Sequence, residues 1–150
     1  MPAAALAPPA GVRPAALYAG LVLSVLATLV PVVDVTTADT LRDHVRDAYP
    51  GWSASLVGKD HDAIVIYATV VGGLGVLCWL WTIWAALARR RHARALITTL
   101  FAVGTGVVLM NFSFSGGAYD RVLPDLYGYA GLLPAIAGVA AVVSAWRPRA

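Results

Sequence analysis

A chain of 150 residues that is 59% hydrophobic and only 13% charged, with a mean hydropathy of +0.74, lacks the composition of a water-soluble domain, in which about a quarter of residues carry charge. Its single cysteine, Cys78, excludes an intrachain disulfide and a two-thiol redox relay. The net charge of +3 comes from arginines and one lysine, Lys59, set against eight acidic residues that are all aspartate, and the pattern argues against nucleic-acid recognition because no aromatic residues interleave the basic ones.

The first 14 residues are mostly Ala and Pro with one charge, Arg13, and read as a disordered tail. Residues 15–33 are uncharged and long enough, at about 1.5 Å per residue, to cross a bilayer core. They are too long for a signal-peptide h-region, and a retained helix is expected.

The only sizeable polar segment, 34–62, follows as an outer loop. Within it Thr37 or Asp39 caps a short helix that Pro50-Gly51 stops. At 100° per residue Leu41, Val45, Ala48 and Tyr49 fall on one side, opposite Asp39, Arg42, Asp43, Arg46 and Asp47. Asp39 with Arg42 and Asp43 with Arg46 are spaced for i,i+3 pairing, so the segment is expected to lie on the interface or cap the bundle, with Trp52 as an anchor.

Residues 63–87 are uncharged and end in Trp79, Trp81 and Trp84, the aromatic order that precedes cations at a membrane boundary. Arg89, Arg90, Arg91 and Arg94 follow. Residues 95–114 form a third span ending near Asn111, Ser113 and Ser115; a short outer loop leads to a fourth, 126–146, that carries Pro134 near its middle. Residues 147–150 are a second tail.

Distribution of charge sets the expected orientation. Arg13, Arg89, Arg90, Arg91, Arg94, Arg147 and Arg149 fall on one side without an acid, while Arg42, Arg46, Lys59 and Arg121 share the other with every aspartate. The positive-inside rule places both termini and the arginine hinge in the cytoplasm of a cell-membrane protein with four spans, an all-α, up-down-up-down four-helix bundle with a short amphipathic helix in its first outer loop. The hinge serves as a topology signal, and anionic lipid headgroups are its expected partners.

Helices in lipid associate by close backbone approach rather than by burying apolar surface. Small residues at four-residue spacing supply that on every span: Ala16, Gly20, Ser24 and Thr28; Thr69 and Gly73, beside Ala68 and Gly72; Thr98, Ala102 and Gly106; Ala137, Ala141 and Ala145. The same stripes would serve a homo-oligomer or a membrane protein partner.

The chemistry is mostly negative. No Asp, Glu, Lys, Arg or His lies inside the four spans as bounded above, which argues against a proton-coupled carrier. No serine has a histidine at membrane depth, and Gly72-Gly73-Leu74-Gly75 sits inside an apolar span rather than between a strand and a helix, so neither a catalytic pair nor a cofactor cradle is expected. His44, Asp47 and His61, flanked by Asp60 and Asp62, are the weak candidates for a divalent metal at the outer face. Thr98, Thr105 and Asn111 are the candidates for lining a pore. The expected function is a non-enzymatic accessory or scaffold subunit acting through helix contacts; an oligomeric channel or small-solute transporter is the alternative, and an outer-face metal-binding protein the second.

Overall fold

The computed structural model describes residues 13–88 and 92–147. They form five α-helices: α1 (Pro14–Thr36), α2 (Thr40–Ala48), α3 (Ala54–Leu87), α4 (Ala93–Ser113) and α5 (Asp125–Trp146). All but α2 are long and apolar enough to cross a bilayer, as expected of a multi-pass membrane protein.

Pro14 opens α1 at a position where its missing N–H costs nothing, so the tail expected over 1–14 ends before it; residues 1–12 lie outside the described part. The helix then runs past the expected boundary at residue 33 and takes in Asp34. The larger departure is in α3, which starts at Ala54 instead of residue 63. Ser53 caps it by accepting from the Leu56 N–H, and 34 residues make a helix of about 50 Å, far longer than a bilayer core of about 30 Å. The segment read as an outer loop is therefore mostly helix. Lys59, Asp60, His61 and Asp62 belong to a helical extension of the second span, and the expectation of spans free of ionisable groups holds only for their apolar middles.

Helix α1 is central, packed on α5 and on α3, and α4 packs on α5; α3 and α4 close the ring only sparsely. Small residues explain the close pairs. Added methyl groups at Gly20 and Gly72 would overlap Trp79 and Thr28, and at Gly128 and Gly138 they would overlap Phe112 and Phe101. The expected stripe on α5 is buried at Ala137, Ala141 and Ala145, and on α1 Gly20 and Ser24 are buried. On α3 the contact is made by Gly72, whereas Gly73 faces open space. On α4 the stripe of Ala102 and Gly106 stays exposed, and Phe101, Val108 and Phe112 pack on the glycines of α5 instead.

Two clusters of buried side chains hold the ends. Leu41, Val45, Val57, Ile64, Tyr119 and Tyr127 gather at the α2 end; Leu17, Ile83, Ile97, Ala141 and Ala145 gather at the other, where the Arg13 N–H meets the Ser144 hydroxyl and the Trp146 indole meets Thr98.

Candidate functional site

The α2 end is closed by a polar network around two carboxylates. Asp34, in the last turn of α1 and 5% exposed, accepts four hydrogen bonds: from the Thr40 N–H (3.2 Å) and hydroxyl (2.8 Å), the Leu41 N–H (3.2 Å) and the Tyr127 hydroxyl (3.0 Å). A buried carboxylate survives only with such compensation. Asp34 thus caps α2 from another helix, where Thr37 or Asp39 was expected to do so. Asp39 occupies the N-cap position with φ 49° and makes no cap bond.

The Asp39 carboxylate instead accepts from the Arg42 guanidinium at 2.6 Å and from His61 Nε2 at 2.9 Å, while His61 Nδ1 lies 3.0 Å from Asp62. Burial alone would raise the Asp39 pKa, but Arg42 and His61 outweigh it and hold it below the usual carboxylate value; the same pairing pushes Arg42 up. The expected Asp39–Arg42 pair is present; Asp43 and Arg46 form no ion pair among the described residues.

His44 Nε2 donates to the Arg121 carbonyl at 2.9 Å, and its ring stacks on Tyr119, 5.3 Å between centroids. Tyr119 donates to Asp60, and burial, reinforced by that carboxylate, drives its hydroxyl pKa well above the ordinary tyrosine value. The Ala118 N–H donates to the Tyr49 hydroxyl, and Tyr49 stacks on Trp52 at 3.8 Å. Arg121 pairs with Asp125 and lies over the Phe112 ring. His44 and His61 are therefore engaged with different partners, Asp47 joins neither, and no group of three His, Cys, Asp or Glu placed to hold a metal occurs among the described residues.

Beneath this cap, where α3 and α4 diverge, lies a cleft of about 570 Å³. Its walls come from all four long helices: Ser24 and Thr28 of α1, Gly75, Cys78 and Thr82 of α3, Phe101, Gly104 and Thr105 of α4, and Pro134 of α5. Tyr127, tied to Asp34, borders it at the cap, and Leu74 and Val103 border it with exposures of 57% and 59%, so the cleft opens sideways between α3 and α4. A smaller hollow of about 360 Å³ adjoins it toward α2, sharing Tyr67 and Asn111. The Tyr67 hydroxyl donates to Asn111 Oδ1 at 2.5 Å and bridges the two diverging helices.

Several hydroxyls in the spans bond to the carbonyl four residues back, as Thr28 does to Ser24 and Thr82 to Cys78, both at 2.7 Å. Two lining residues do not. Thr105 Oγ1 is buried with no partner, and Ser24, 6% exposed, has an unbonded hydroxyl among the described residues. Of the three expected lining groups, Thr105 and Asn111 border the cleft. Thr98 lies outside it, donating to the Arg94 carbonyl at 2.9 Å and accepting from Trp146 at 3.0 Å.

Arg94 is exposed in the first turn of α4; Arg89, Arg90 and Arg91 lie outside the described residues. Sequence reasoning missed Asp34 and Tyr127, whose partnership spans 93 residues of chain and leaves no local signal beyond an aspartate at the end of an apolar run. Comparison with known proteins finds no matching family model, no matching curated protein and no matching solved structure.

Proposed function

We propose that the chain is a non-enzymatic accessory subunit of a cell membrane, which crosses the bilayer four times, up-down-up-down, with both termini cytoplasmic, and holds a guest from the surrounding bilayer between α3 and α4. The cleft carries this reading: it is large, reached from the side at membrane depth, and bordered by exposed apolar residues on two helices that pack poorly against each other. The orientation rests on the arginines, with the cap on the outer face and the hinge among anionic lipid headgroups.

A rigid frame with one loose seam suits this role. Helices α1, α3 and α5 are locked by glycine contacts and by the Asp34 network, while the Tyr67–Asn111 bond bridges the α3 to α4 seam at the cleft. A photoreactive phenylalanine analogue placed at Leu74 or Val103 in living membranes should trap a guest, and the same probe at Ile136, 69% exposed on α5 and away from the cleft, should not. Equal trapping at all three positions, or none, would overturn the reading.

A conduit is the second reading, because Thr105 and Asn111 border the same cleft. It requires flux of small polar solutes through reconstituted protein that falls when Asn111→Leu is introduced.

A further inference from the structure

Resting on the reading of the cleft as a guest site, we propose that the guest is an uncharged membrane lipid bearing a carbonyl oxygen, of the chemistry of a diacylglycerol, with its hydrocarbon in the cleft and its oxygen at Ser24 and Thr105. The cleft, about 570 Å³ and walled by all four long helices, lies within the usual range for small-molecule sites, which suits the hydrocarbon of a lipid better than a partner's helix.

Charge excludes a headgroup. Among the described residues no Asp, Glu, Lys, Arg or His lines the cleft, so a phosphate or ammonium drawn into it would lie in hydrocarbon without a counter-ion from them. Asp39, His61 and Asp62 of the cap are committed to one another and Asp34 to Thr40, Leu41 and Tyr127, and Tyr127 connects that network to the cleft.

The polar atoms indicate what the guest must offer. Ser24 and Thr105 present hydroxyl donors with no protein partner, and Asn111, whose Oδ1 is taken by Tyr67, keeps its amide N–H groups unbonded among the described residues. In hydrocarbon such donors gain most from an acceptor oxygen, and a carbonyl supplies one without charge. Ser24 and Thr105 stand near the middles of α1 and α4, a depth that a charged headgroup does not reach and a neutral lipid can.

The full chain, reconstituted in phosphatidylcholine vesicles, is photolabelled with diazirine-tagged diacylglycerol and, in parallel, with diazirine-tagged phosphatidylcholine. The diacylglycerol should label the α3 and α4 stretches around Gly75 and Gly104 in preference to phosphatidylcholine. Gly75→Leu and Gly104→Leu fill cleft-lining positions that face open space and should abolish that preference, whereas Gly73→Leu and Gly106→Leu, equally open but outside the lining, should leave it intact.

The nearly isosteric double variant Ser24→Ala, Thr105→Val removes only hydroxyl groups and should weaken the preferential labelling about tenfold. Trapping at Val103 combined with diacylglycerol label spread evenly over the lipid-facing helices would overturn the lipid assignment and leave the guest site standing. Absence of trapping at Val103 would remove the site itself. Labelling that survives both glycine substitutions, or is unchanged in the double variant, would also overturn the assignment.

Discussion

Asp34 shows how one side chain can organise an end of a bundle. Its two oxygens hold the first turn of α2 and the hydroxyl of α5, so three helices meet on one carboxylate. Asp34→Ala would leave those buried donors unpaired, and a loss of about 3 kcal/mol is expected in detergent denaturation. Asp39 works at the surface of the same network and gives it a pH dependence. Because its folded pKa is lowered, the stabilisation it contributes is fully present above the ordinary aspartate value of about 4 and is lost as pH falls through the lowered one. Amide-exchange protection in Arg42 to Val45, measured against the intrinsic rate, should therefore fall on acidification below about pH 4, and Asp39→Asn should weaken that response. Gly20 illustrates the opposite kind of residue, one that matters by what it lacks. Gly20→Leu must displace the Trp79 ring and should cost about 1–3 kcal/mol, whereas Gly73→Leu on α3, where an added Cβ meets open space, should be near neutral by the same measurement.

At the scale of elements, α2 and the first turns of α3 form one unit at the end of the bundle. Nothing about α2 alone would keep it folded, since nine residues are too short for a stable isolated helix. Its amphipathic face supplies the difference: Leu41 and Val45 are fully buried against Val57 and Ile64 of α3 and against Tyr119 and Tyr127, each removed from water at a gain of about 1.5–3 kcal/mol. Leu41→Ala should detach α2, seen as loss of exchange protection confined to residues 40–48. The capping serine is a smaller effect of the same kind. Ser53→Ala should cost about 1 kcal/mol and fray the start of α3 without reaching its membrane portion. The seam between α3 and α4 is different in character, since apolar faces gain nothing from meeting in lipid, and it stays open at Gly75 and Gly104, which no facing side chain fills.

For the molecule as a whole, Arg13 and Arg94 stand at the opposite end of the bundle from the cap. Arg13 and Arg94 flank the cluster around Leu17 and Ile97, and the aspartates, Asp34 and Asp39 among them, gather around α2. Single-cysteine variants Asp43→Cys and Ala95→Cys, each in a Cys78→Ala background, should react with an impermeant thiol reagent from opposite sides of intact membranes. Reaction from the same side would invert or dissolve the proposed topology.

The sequence by itself determined the solvent. Uncharged runs of bilayer length, bounded by tryptophans and arginines, leave no alternative to helices in lipid, because backbone groups in hydrocarbon must bond within their own segment. It also carried the amphipathic face of α2 and the buried stripe of α5, both of which follow from a local period of 3.6. It could not carry the Asp34–Tyr127 and Asp39–His61 bonds, the substitution of Gly72 for Gly73 at the α1 contact, or the cleft. Those depend on how far apart the helix axes settle and how each helix is rotated, and in a chain rich in Ala, Gly and Val several rotations look equally suitable along the sequence. Only the assembled bundle, by committing Gly20 to Trp79 and Gly138 to Phe101, decided which faces would close and which seam would stay open.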